Sequence, residues 1–80
     1  MDSVDVSLLL ELLLEDNTDL EARVVRTELA SALNGAGYPF TTRQVGTGDA
    51  AAMLDELDRG VVRSSPELRA AVREGRLPAR

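Results

Sequence analysis

The sequence predicts a small α/β fold in the order β-α-β-α, with a further helix at the C-terminus. Three observations lead there. An apolar run over residues 4–14 stops abruptly at Glu15-Asp16, and a strongly amphipathic stretch follows over 18–34. A short segment rich in aromatic and β-branched residues, 38–45, then separates that stretch from a second helical pattern over 49–59. With 80 residues the chain reads as a single small domain, 1–80, and buries only about 60% of the surface it exposes when unfolded. One Phe, one Tyr and no Trp leave the core to Leu, Val and Ala.

The first segment, Val4-Asp5-Val6-Ser7-Leu8-Leu9-Leu10-Glu11-Leu12-Leu13-Leu14, admits two readings. As a strand, positions 4, 6, 8, 10, 12 and 14 are all apolar, a period of two. As a helix, Ser3, Ser7, Glu11 and Glu15 fall four apart on one polar stripe, with leucines around the remainder. Leu and Glu favour the helix, whereas Val4 and Val6 favour the strand. The α/β fold needs the strand. The helix gives the alternative architecture, a small all-α bundle in which residues 4–15 pack on 18–34 as an antiparallel hairpin and a second face dimerises.

Thr18-Asp19-Leu20-Glu21 has the spacing of a capping box, a hydroxyl acceptor followed three residues later by a carboxylate. Leu20, Val24, Val25, Leu29, Ala32, Leu33 and Ala36 then recur at helical spacing, and Asn34-Gly35-Ala36-Gly37 supplies the stop. Residues 38–45, from Tyr38 to Val45, read as a short strand, with Pro39 at its start or at a sheet edge. Gly46-Thr47-Gly48-Asp49 breaks the chain before a helix over 49–59 that sets Ala50, Met53, Leu54 and Leu57 on one face. Gly60 ends that helix, and Val61-Val62-Arg63 has the character of a strand stub. Ser64-Ser65-Pro66-Glu67 opens the last helix, with Pro66 in its first turn and Leu68, Ala71 and Val72 facing inward. Gly75 closes it, leaving residues 76–80 as a tail expected to fray.

Composition removes several classes of function. Without Cys or His there is no disulfide, no thiol nucleophile, no imidazole base and no ordinary transition-metal site. The net charge is -5 and every cation is an Arg, so nucleic acid is not an expected partner. Ser64 and Ser65 lack a His or Lys to activate them and are accounted for by helix capping. Gly46-Thr47-Gly48 lacks the Lys and the glycine spacing of a phosphate loop. An independent enzyme is not expected. Arg69, Arg73 and Arg76 recur at helical spacing, as a solvated face or as one that meets an acidic partner. Asp2 and Asp5 stand where a signal peptide is basic, and no stretch reaches the roughly 18 apolar residues of a membrane span. No membrane association and a cytoplasmic location are the expectation.

Four pieces occur in order: Leu14-Glu15-Asp16-Asn17-Thr18-Asp19, Ala36-Gly37-Tyr38, Phe40-Thr41-Thr42 and Gly48-Asp49-Ala50-Ala51. Together they resemble the N-terminal part of a response-regulator receiver domain, over about residues 12–60. The resemblance implies a truncated flavodoxin-like receiver fragment in which Glu15 and Asp16 match the family's divalent-metal carboxylates. Mg²⁺ is then the ion implied, weakly held, and no cofactor is required. The first helix is longer than is usual for the family, and Glu11 interrupts what should be an apolar strand. The family's phospho-accepting Asp would follow the second helix, where this chain reads Gly60-Val61-Val62-Arg63-Ser64-Ser65-Pro66. No Lys is present to neutralise a phosphoryl group, and the switch Ser/Thr has no counterpart.

The implied function is therefore a phosphorylation-incompetent receiver-like module of two-component signalling that acts by protein–protein contact. It would meet a protein partner or a second copy through an open sheet edge and a leucine surface of Leu8, Leu9, Leu12 and Leu13. Residues 20–63 also partly resemble a winged helix, with Leu54 to Arg63 as the end of a recognition helix entering a wing. Asp49, Asp55, Glu56 and Asp58 on that helix would repel a phosphate backbone.

Overall fold

The computed structural model describes residues 3–77. Six elements follow one another: β1 (Ser3–Asp5), α1 (Val6–Asp16), α2 (Ala22–Gly35), β2 (Gln44–Gly46), α3 (Thr47–Leu57) and α4 (Pro66–Glu74). The two strands pair antiparallel, with Val4 opposite Val45. The fold is thus mixed α/β in the coarse sense, four helices around a two-stranded sheet. The expected β-α-β-α order is replaced by β-α-α-β-α-α, and the strands do not run parallel as a flavodoxin-like fragment requires.

The correction originates at Asp5. Its Oδ1 accepts the amides of Ser7 (2.8 Å) and Leu8 (3.3 Å), which ends the strand after three residues and caps α1. From residue 7 onward the run is Leu, Glu and Ser with no β-branched residue, so local propensity then favours the helix. The leucines' period of two is fortuitous, because α1 presents apolar side chains in several directions. Leu9 and Leu13 are fully buried, and Leu10, Leu12 and Leu14 pack partly buried against the core.

The capping box at 18–21 is not formed. Asn17, Thr18 and Asp19 make a turn, Leu20 donates its amide to the Asn17 carbonyl (3.0 Å), and α2 starts only after Glu21. The expected strand over 38–45 shrinks to Gln44–Gly46, because Pro39 has no N–H for a ladder and its carbonyl instead takes the Thr42 amide (3.0 Å) in a turn. Val61-Val62-Arg63 forms no strand; Val62 instead inserts fully into the core. Helix α4 starts and stops as its sequence predicts. Ser65 Oγ accepts the Leu68 amide (3.1 Å), Pro66 is the first helical residue, and Gly75 adopts the left-handed conformation (φ 69°). Beyond Gly75 the Arg76 amide donates to the Ala71 carbonyl (2.7 Å) and Leu77 packs on the core. The rest of that expected tail, 78–80, lies outside the described residues.

One apolar cluster joins all six elements, centred on Leu9 and Leu13 of α1, Val25, Leu29 and Leu33 of α2, Met53, Leu54 and Leu57 of α3, and Leu68 and Val72 of α4. The Val4–Val45 pair closes it at the sheet. Burying each such side chain contributes about 1.5–3 kcal/mol before entropy is counted. Helices α2 and α3 lie antiparallel. Glu28, midway along α2, lies beside Gly60 just beyond the end of α3, while Tyr38, just beyond α2, bonds to Asp49 in the first turn of α3. No helix among the described residues is long and apolar enough to cross a membrane.

Candidate functional site

Between α2 and α3 runs an open groove of about 490 Å³. Glu28, Ser31, Ala32, Gly35 and Ala36 line it from α2; Asp49, Ala52, Met53, Glu56 and Leu57 line it from α3. Both sets follow the three- and four-residue spacing that puts side chains on one helix face. The groove exists because these facing stripes are small. Ala32, Gly35, Ala36 and Ala52 stand where leucines would interlock, and no atom lies within 4 Å of the position a Cβ on Gly35 would take. Met53 and Leu57 belong to the core and form its apolar floor.

Glu28, Asp49 and Glu56 give the groove its charge. Among the described residues the ion pairs join Arg23 to Glu21, Arg69 to Asp58 and Arg76 to Glu74, so none neutralises these three carboxylates. The last turn of α3 carries no basic residue, and Glu28 and Glu56 lie close to the negative end of its dipole. Asp49 stands at the opposite, positive end and accepts the Tyr38 hydroxyl. Only the neutral phenol can donate that bond, so the Tyr38 pKa is raised above its ordinary 10.0, an effect partly opposed by a backbone hydrogen bond from Gly46. Tyr38 thereby ties the α2–β2 loop to the head of α3.

The residues singled out from sequence are distributed differently. Glu15 and Asp16 end a helix rather than a strand, and on consecutive helical positions their side chains diverge by about 100°. The Asp16 carboxylate accepts the Ser65 amide (2.9 Å) at the start of α4. Among the described residues no group of three or more Asp or Glu side chains is placed to hold a metal ion. The proposed leucine surface divides in two. Leu9 and Leu13 are core residues with no exposed surface, while Leu8 and Leu12, one turn apart, remain half-buried. On a helix Leu8 and Leu12 stand about 100° round from Leu9 and Leu13, so only the latter pair points straight into the core. The arginine face of α4 is interrupted as well: Arg69 pairs with Asp58 (3.0 Å) and Arg76 with Glu74 (3.0 Å), leaving Arg73 exposed.

Sequence reasoning missed Asn17. It is only 3% exposed, its Nδ2 donates to the carbonyls of Leu13 (2.8 Å) and Arg63 (2.6 Å), and its Oδ1 accepts the Arg63 amide (2.9 Å). The side chain thus clamps the α3–α4 connection to the end of α1 across 46 positions of sequence. An Asn after an apolar run announces a helix end, but nothing local names so distant a partner. The groove was missed for a similar reason, since Ala32 and Ala36 read as inward-facing residues of an ordinary amphipathic helix. No protein-family model matches this chain, and neither a curated protein nor a solved structure matches it.

Proposed function

We propose that this protein is a non-enzymatic interaction module whose α2–α3 groove receives a cationic segment of a partner protein. One observation carries the reading. Three carboxylates line a groove with an apolar floor, and no arginine among the described residues lines it. An occupant that displaces water there lowers the local dielectric and strengthens each ion pair, while Met53, Leu57 and the alanines supply apolar contact. Such charge contributes chiefly to association rate and partner choice. A groove of this volume seats a short segment and not a broad face, which suits transient binding. Of the receiver-like expectation, contact with a protein partner is retained and the parallel sheet is not formed. The lining offers carboxylates, one serine hydroxyl and apolar surface, which suit binding.

The test is an NMR titration of the whole protein with a helix-forming Arg/Ala peptide and with its counterpart in which Glu replaces each Arg. The Arg peptide is expected to shift the amides of Glu28, Gly35, Asp49 and Glu56 saturably, and the Glu peptide to leave them in place. Replacing Glu28 and Glu56 together by Gln should weaken binding about three- to tenfold, the worth of two partly exposed ion pairs. Shifts centred on Leu8 and Leu12, or concentration-dependent dimerisation without groove shifts, would overturn the proposal.

A further inference from the structure

Taking the cationic-guest reading as its basis, we infer that the guest is an α-helix laid along α3, carrying two cationic side chains seven positions apart. Asp49 and Glu56 both face the groove and are themselves seven positions apart on α3, about 10.5 Å along the axis. The negative charge is therefore gathered at two ends. Asp49 holds one end; Glu56 with Glu28, beside the end of α3, holds the other. Between them the walls are Ala52 on one side and Ala32, Gly35 and Ala36 on the other, low enough for a helical backbone to settle close. Two cations seven positions apart on a helix fall on one face within about 20° and repeat the same spacing.

An extended guest fits less well. Strand addition draws its affinity from main-chain hydrogen bonds to an open sheet edge, whereas both groove walls are helices whose backbone groups are already paired internally. A helix brings its own backbone satisfied and needs only side-chain contacts. The two ends also differ. Asp49 already accepts the Tyr38 hydroxyl, whereas Glu28 and Glu56 offer two carboxylates to one cation, a geometry that matches the forked donors of Arg better than the point charge of Lys.

Three Ala-based helical peptides of equal length and composition test this, each with two Arg, placed at i and i+5, i and i+7, or i and i+9. At about 100° per residue the first and last pairs diverge by about 140° and 180°. Fluorescence anisotropy with the full chain at low salt should show the i,i+7 peptide binding about tenfold more tightly than either other spacing. Glu28→Gln combined with Glu56→Gln should erase that preference while leaving the weaker binding. Equal affinities for the three spacings, with groove amides still shifted, would overturn the helical register and leave the cationic-guest reading standing. Equal binding by an i,i+7 peptide interrupted by Pro would also overturn it. No groove binding by any of the three would remove both readings.

Discussion

Asn17 is the most deeply buried polar side chain among the described residues, and its amide group has almost no freedom left. Both donor hydrogens reach carbonyls, of Leu13 and of Arg63, and its oxygen takes the Arg63 amide. Replacing Asn17 by Ala leaves the Arg63 amide and carbonyl without these partners, and urea unfolding should show a loss of about 2–3 kcal/mol. Replacing it by Asp is nearly isosteric, yet turns two donated bonds into contacts between a carboxylate and carbonyl oxygens. Asn17→Asp should therefore be more damaging than Asn17→Ala at neutral pH. Burial and the carbonyls raise the folded-state pKa of the introduced carboxyl above its unfolded value, so the penalty is largest above that pKa. It shrinks as pH falls and the carboxyl regains a proton to donate, and at about pH 4 the Asp variant should approach or pass the Ala variant. A pH-independent gap between the two would show that Asn17 acts through shape and not through its donors. The neighbouring knot is less economical. Asp58 accepts both the Ser64 amide (2.9 Å) and the Ser64 hydroxyl (3.3 Å) and pairs with Arg69, whose Nε is buried without a partner.

Helix starts divide the chain into what local sequence determines and what it does not. At Ser65-Pro66 and at Gly75 the residues that cap α4 are adjacent to the turns they cap, and the sequence states them fully. The inward faces of α2 and α3, with Val25, Leu29, Leu33, Met53 and Leu54, are equally legible because a period near 3.6 survives any packing partner. The N-terminal third is not legible, since the eight apolar positions among residues 4–14 satisfy both periods. The deciding residue is Asp5, whose side chain caps α1, whereas the more suggestive Thr18 caps nothing and lies in an exposed turn. These roles are separable. Asp5→Ala should lower stability by about 1 kcal/mol, and Thr18→Ala should leave it within about 0.5 kcal/mol. Thermal unfolding of the two variants measures the difference, and the reverse order would restore Thr18 as the start of α2. The groove escaped the sequence because it is defined by what is small. Ala32, Gly35 and Ala52 become walls only when the pairing of α2 with α3 is known.

Taken as one charged body, the molecule carries -5 over 80 residues, and the placement of its charges matters more than their sum. Arg23, Arg69 and Arg76 sit beside carboxylates elsewhere, while Glu28 and Glu56 both line the groove near the negative end of α3 and form none of the ion pairs among the described residues. Like charges placed so repel one another and the helix dipole, and they are hard to explain as devices of stability. If they are held for a guest, neutralising them should have opposite effects on folding and on binding. Glu28→Gln with Glu56→Gln should stabilise the free protein by about 0.3–1 kcal/mol for each charge removed in dilute buffer, while weakening the capture of the cationic helix. Screening separates this from a packing effect. At about 0.01 M salt the Debye length is roughly 30 Å and the gain should be visible in thermal unfolding; at about 1 M it is roughly 3 Å and the gain should vanish. A double variant less stable than the parent at low salt would mean that these carboxylates hold the fold together, and the groove would lose its claim to be a site. Greater stability joined to weaker binding is the pattern of residues kept for function at some expense to the fold that carries them.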